Sequence, residues 1–421
     1  VAIGVHVGSD VIPTSTGNQD ITLPAGVVTA MNAGPYAIIL QQVGYGTMVS
    51  GTWAAHAVMG VGLIAKDSGG SITQYAAGNF MQDATAAGSR PTDRRMQTGC
   101  VTMPGNITGG TTETRAASFV GTQGSTAMRL NWTDIDASWG GSRLNFIIIT
   151  GLTNAKVVSQ TYASGNVTGV GFSPDLIFNL NVAHTSLASV VSAYFTFGVV
   201  NQHGQQWSNS FSSGEVSNTD SARWFQTDAF VATVNYNNTE IFGYPWTGMT
   251  SDGFTHYTLG AGYVGAFLCL DGISSKIGTF LSLTGPTTFP QRVPTGQGFV
   301  PRGALFSGSG ENSTTGIPTT HASWWMGMSD GTNHLAGGIF DRDNRATSQS
   351  HSLWFSNKAL MAPNTDASTS LNTHEGAPVL TTSNEMLVNW SYIYPADVQR
   401  WNHYVLLGDA GTDTFPQAVL A

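Results

Sequence analysis

The residues of this chain that could do chemistry are few and dispersed. Its ten histidines are His6, His56, His184, His203, His256, His321, His334, His351, His374 and His403. Metal sites legible in sequence place ligands at short fixed spacings, as in H-E-x-x-H, H-x-H or C-x-x-C, and none of these occurs. Asp341-Arg342-Asp343-Asn344 is too short for an EF-hand loop, and Arg342 and Arg345 would offset a bound cation, so it reads as a hydrogen-bonded turn. No G-x-S-x-G marks a nucleophile elbow. A glycosidase needs two carboxylates roughly 5 to 9 Å apart. Glu215, Glu240, Glu311, Glu375 and Glu385 stand in polar turn or loop contexts, with no partner that spacing can nominate. Phosphate-binding glycine loops require a following helix, which the pattern does not offer. The chain therefore reads as a non-enzyme, with no catalytic residue, metal site or cofactor assigned.

The elements that would have to position any site are strands. Runs of four to eight apolar residues, rich in Val, Ile, Phe, Tyr and Trp, alternate with Gly, Pro, Asn and Ser, and long windows of helical period are almost absent. Thr185 to Val191 is the nearest helical candidate, worth one turn at most. The 421 residues exceed one ordinary core, and 41% hydrophobic content supports a packed interior. Only 10% are charged, so solubility rests on Ser, Thr, Asn, Gln and Gly. A net charge of -9 argues against nucleic acid, because phosphate binding needs clustered Lys and Arg. Arg90, Arg94 and Arg95 are the nearest approach to a basic patch, and Asp93 among them favours an ion pair or an inter-subunit contact. Cys100 and Cys269 read as two buried free thiols. No apolar run reaches the roughly 18 residues of a membrane helix, so membrane insertion is not expected.

One arrangement recurs. Gly171-Phe172-Ser173-Pro174 leads into DLIFNL, Gly298-Phe299-Val300-Pro301 into GALFS, and, more loosely, Gly34-Pro35 into YAIIL. From Pro35, Pro174 and Pro301, the glycines Gly60, Gly198 and Gly327 lie 25, 24 and 26 residues on. From those glycines, the aromatics Trp132, Phe254 and Trp390 follow after 72, 56 and 63 residues, so the intervening segment varies as loops do. Each set closes on a strong strand, Arg143 to Ile149, Tyr263 to Leu270 and Trp401 to Leu407. The pattern predicts an all-β chain of three tandem antiparallel β-sandwich units of jelly-roll-like topology, at 1–151, 152–273 and 274–421. The period is far longer than the 20 to 50 residues of solenoids. The corner residues Gly34, Pro35, Gly171, Pro174, Gly298 and Pro301 are assigned to chain geometry; Gly60, Gly198 and Gly327, with Trp132, Phe254 and Trp390, are assigned to the repeated core. Trp53, Trp207 and Trp246 sit beside turn-forming residues and are the candidates for stacking on a glycan.

Gly165 to Phe178, GNVTGVGFSPDLIF, resembles a segment common in virion structural proteins of tailed bacteriophages, where a strand passes through G-F-x-P into an apolar strand. Trp324-Trp-Met-Gly-Met-Ser-Asp-Gly331 resembles the aromatic G-x-S/A-D-G piece that often follows. Tyr194 to Gly204 keeps only the outline of that second piece, Val58 to Lys66 less still, and in the first unit Ala33-Gly-Pro35 replaces G-F-x-P. The resemblance implies a non-enzymatic protein located in the virion, in the tail, tail tip or baseplate. Its partners would be other virion proteins and further copies of itself as a homo-oligomer. A head decoration or minor capsid protein, and a module binding host surface glycan, are the alternatives.

Overall fold

The computed structural model describes residues 2–83, 92–104, 113–137, 140–162, 165–183, 189–214, 221–234, 240–257, 263–284, 290–310, 319–342, 349–363, 373–381, 384–393 and 399–410. The chain is all-β apart from one helix among the described residues, Ala25–Ala33. Pro24 precedes that helix and Gly34 follows it, and it buries Val28 and Met31, one turn apart. It replaces, in the first unit, the corner formed by Gly171 and Gly298 in the others. Those two glycines have φ of 87° and 75°, a left-handed conformation that an L side chain rarely adopts. The proposed helical turn lies partly outside the described residues, and its end, Ser189–Val191, is a strand.

Three seven-stranded sheets dominate, each with the same order of sequence-equivalent strands. The first runs Gly4–Val11, Arg143–Thr150, Tyr36–Val43, Ala57–Lys66, Ile72–Met81, Thr92–Gln97. The second runs Asn154–Thr161, Val264–Asp271, Leu176–Asn181, Ala193–Asn201, Gln206–Ser213, Ser221–Gln226. The third runs Ile273–Leu281, Trp401–Asp409, Gly303–Gly308, Ala322–Ser329, His334–Arg342, Gln349–Phe355. Smaller sheets cover each of them: four strands on the first and third, and a three-stranded and a two-stranded sheet on the second. In each sheet four consecutive strands form a meander, and the last strand of the unit inserts between the first strand and that meander, which is not the jelly roll that was expected. Tight turns such as Asp67–Ser71 and Asn201–Gln205 hold consecutive strands side by side, where a jelly roll would send them across to the facing sheet.

The long apolar runs have a specific cause. In Tyr36–Val43, Ala37 and Ile39 face one core while Tyr36, Ile38 and Leu40 face another. In Ala322–Ser329, Trp324, Met326 and Met328 point one way and Trp325 the other. A strand buried on both faces loses polar alternation and reads as continuous hydrophobic sequence. The inward side chains of all three sheets meet in one shared cluster that includes Ile39, Val61, Phe178, Phe197, Trp324 and Val405. The outward side chains pack beneath the smaller sheets, around Trp132 in the first unit, Phe254 in the second and Trp390 in the third.

The seventh strand of each large sheet comes from another unit. Ser189–Val191 of the second unit pairs with Asp93 to Arg95 of the first, Thr319–Thr320 of the third with Ala222 and Arg223 of the second, and Ala54–Ala55 of the first with His351 and Ser352 of the third. The exchange is cyclic, so the three units close into a ring around their common core.

Candidate functional site: the seams between units

Each donated strand lies immediately before the strand that returns the chain to its own sheet. The reversal is made at a single residue, His56, Ser192 or His321, with φ of 66°, 65° and 71°. A non-glycine residue in this region costs about 1–2 kcal/mol, and the same position carries it in every unit. A side chain from the receiving sheet secures each junction. Arg94 donates through Nη1 to the Ser192 carbonyl at 2.7 Å, and its guanidinium lies 4.4 Å from the Tyr194 ring centroid. Ser352 donates through Oγ to the His56 carbonyl at 2.7 Å. Arg223 donates to Ser323 Oγ at 3.4 Å, two residues beyond His321. The contact expected of the basic patch is therefore made at Arg94 between units of one chain, while Arg95 pairs with Glu113 at 3.1 Å; Arg90 lies outside the described residues.

The opposite edge of each large sheet is closed as well. The Val7 amide donates to Asp330 Oδ2 at 3.0 Å, that of Val157 to Thr73 Oγ1 at 2.8 Å, and that of Ile277 to Gln205 Oε1 at 3.2 Å. In every case the acceptor comes from the neighbour's turn between its fourth and fifth large-sheet strands or from the start of the strand after it. Each large sheet thus receives a short neighbouring strand at one edge and a neighbouring side chain at the other, which covers part of the rows of N–H and C=O groups that drive edge-to-edge aggregation.

The seams are polar in distinct ways. Between the second and third units the buried Asp341 carboxylate accepts from Ser213 Oγ at 2.7 Å, Ser221 Oγ at 2.8 Å and Ser350 Oγ at 2.6 Å. Across the same seam His403, fully buried, lies 5.0 Å from Phe225 and 5.5 Å from Trp207 by ring centroids, and burial pushes its pKa down to about 3. Between the first and third, Gln41 donates to the Gly337 carbonyl at 2.7 Å, and Trp354 Nε1 to Asn145 Oδ1 at 2.9 Å. Burial lowers His6, His56, His256 and His334 below the ordinary imidazole value and raises the Cys100 and Cys269 thiols. Among the described residues no three His, Cys, Asp or Glu side chains gather to hold a metal.

The residues singled out by sequence fall as follows. Pro35, Pro174 and Pro301 each come shortly before the third large-sheet strand. A Cβ on Gly198 would overlap the Phe230 carbonyl, and one on Gly327 the Ala359 carbonyl. In the first unit the residue in that place is Gly62, beneath the Cys100 carbonyl; Gly60, two residues earlier, has its nearest atoms at 3.2 Å. Small-residue spacing finds the glycine pair but not which member is pressed against backbone. Trp132, Phe254 and Trp390 are 1%, 0% and 3% exposed. Trp132 Nε1 donates to Gln19 Oε1 at 2.9 Å, and Trp390 Nε1 to Gln291 Oε1 at 2.8 Å, a repeated pair that the sequence did not disclose. The glycan-stacking candidates need correction. Trp207 is wholly buried in the shared core and donates to the Tyr404 carbonyl at 3.3 Å, so no sugar can reach it. Trp53 and Trp246 are half-buried against the outer cores, the first beside His351 and the second against Gly204. The donated strands themselves carried no signal: two or three residues such as Ala-Ala or Thr-Thr are too short for any periodicity.

No family model, curated protein or solved structure matches this chain.

Proposed function

We propose that this protein is a non-catalytic structural component of a tailed-phage virion that works by docking through shape and hydrogen bonds, with a place in the tail, tail tip or baseplate. The single observation that carries the reading is the cyclic exchange of strands, which spends the conspicuous polar side chains on holding units together. Three copies of one two-layer β-unit, each completing its neighbour's sheet, form a body whose rigidity is built into its connectivity. Such a body suits a permanent part of an assembly. The phage assignment itself rests on the G-F-x-P segments and the WWMGMSDG piece.

A second reading, head decoration or a minor capsid position, is favoured by the ring closure. Three units around one core make a compact block, and a compact block fits a shell surface better than a string of modules would. Glycan binding is a weaker third reading, now that Trp207 lies in the core. Electron microscopy of the intact particle, with the copy number, tests these together. Three or six copies on the tail axis support the tail assignment, hundreds over the shell favour decoration, and absence from purified particles overturns the virion assignment.

A further inference from the structure

The contact between the first and third units differs from the other two. The first and second are joined by the chain through Gly151–Thr153, and the second and third through Gly272. Among the described residues, the first and third meet through side chains, the short Ala54–Ala55 ladder and one further backbone bond, from the Gly51 amide to the Trp354 carbonyl at 2.8 Å. At both ends of that seam the same arrangement appears with the roles of the units reversed. At one end, Asp330 of the third unit accepts the Val7 amide of the first at 3.0 Å, and His6 of the first stands 3.9 Å from the Asp330 carboxylate. At the other, Asp83 of the first unit accepts the Ser350 amide of the third at 3.1 Å, and His351 of the third stands 3.9 Å from the Asp83 carboxylate.

Each end has a second histidine. His56 Nδ1 accepts the Asp83 amide at 2.9 Å, which requires that nitrogen to be unprotonated. His334 Nδ1 lies 2.9 Å from Ser329 Oγ beside the Asp330 turn. Among the described residues, charged and aromatic groups face these rings, and the Phe80 ring lies 6.0 Å from that of His56. His56 meets Asp83, His351 and the Tyr45 ring; His351 meets Asp83 and Trp53; His6 meets Asp330 and Phe146; His334 meets Asp330 and Lys358.

We propose that the seam between the first and third units is an acid-sensitive gate, latched at its two ends by the reciprocal clusters His56–Asp83–His351 and His6–Asp330–His334. Protonating His56 at Nδ1 removes the acceptor of the Asp83 amide. Opening the seam frees the imidazoles to water, where they take up protons readily. The sign follows from the lowered pKa values of His6, His56 and His334: closure is fully favoured above the ordinary imidazole range and weakens as pH falls through it. Each histidine released on opening multiplies the opening constant by up to about tenfold per pH unit below about 6.5.

Hydrogen exchange of the full chain, read by mass spectrometry and corrected for intrinsic rates, tests the gate. Peptides covering Val7, Ser350 and Val58, whose amide donates to Ser352 Oγ at 2.9 Å, should lose protection about tenfold or more between pH 7.5 and 5.5, while the peptide covering Val157, at the seam between the first and second units, should hold. His56→Asn, whose side chain tolerates the left-handed backbone and does not titrate, should flatten the response at Val58 and Ser350 but leave that at Val7. His6→Asn should do the reverse. Equal loss of protection at Val157 in the wild-type protein overturns the proposal even if neither variant folds, as does an unchanged pH response in either variant that does fold.

Discussion

His403 gives the sharpest test of how these units are joined. Its ring is wholly buried, both ring nitrogens lack hydrogen-bond partners among the described residues, and Trp207 and Phe225 of the second unit flank it. Desolvation therefore holds it neutral, with a folded pKa of about 3 against about 6.5 when unfolded. Because the folded value is the lower one, the unfolded chain binds the proton first, and stability falls as pH drops from about 6.5 toward 3. At about 1.4 kcal/mol per pH unit the full interval amounts to about 5 kcal/mol, and to about 3 kcal/mol by pH 4. His403→Phe keeps an aromatic ring in the cage and abolishes the titration. Urea unfolding followed by tryptophan fluorescence at pH 7.5, 6, 5 and 4 should show wild type and variant diverging steadily as pH falls. Any overpacking by the larger ring would add an offset independent of pH. Curves that stay parallel across this range would falsify the account of His403 as a buried neutral base. The interval above pH 4 also separates this effect from the carboxylates with lowered pKa, Asp330, Asp252 and Asp409, whose contributions are lost at lower pH.

Other perturbations follow from the same geometry. Gly62→Ala, Gly198→Ala and Gly327→Ala each force a Cβ into a backbone carbonyl and should cost about 3 kcal/mol or more, whereas Gly60→Ala should cost about 1 kcal/mol; thermal unfolding of the four variants distinguishes them. Asp341→Ala leaves three serine hydroxyls without their shared acceptor at the seam between the second and third units, and should destabilise by about 3 kcal/mol in chemical denaturation. Gln291→Ala strips the acceptor from Trp390 Nε1 and should cost about 1 kcal/mol, with Gln19→Ala matching it at Trp132; unequal losses would argue against the two sites being equivalent. Ser192→Gly relieves a left-handed φ of 65° and should be neutral or stabilising by up to about 1 kcal/mol, seen as a raised melting temperature.

Much of the framework was legible in residue order because it depends on local chemistry. Runs such as YAIIL and YFTFGVV specify strands wherever they are placed, and the G-F-x-P corners announce the start of the third large-sheet strand through backbone preferences of Gly and Pro alone. The equivalence of Trp132, Phe254 and Trp390 could be read because the rings stand 11, 9 and 11 residues before Arg143, Tyr263 and Trp401, where the closing runs of the three units begin, although their distances from the preceding glycines vary. Helix Ala25–Ala33 was missed, although Pro24 and Gly34 bracket it, because two buried side chains are too few to set a helical period against the surrounding strand pattern.

What residue order could not convey was who pairs with whom. A run that is apolar at every position is compatible with burial on two faces, but only the assembled ring supplies both: the outer sheet on one side, and on the other a core made of all three units. The exchanged strands are two or three residues long and acquire their role solely from the sheet edge that receives them. Likewise, Gly62 differs from Gly60 only in lying under the Cys100 carbonyl, and Trp207 reads as a surface residue until the third unit closes over it. By itself the sequence determined that there would be strands, corners and three similar units. Tertiary structure decided that the units share a core and complete one another's sheets, because contacts between residues a hundred or more positions apart leave no periodic mark on the chain that makes them.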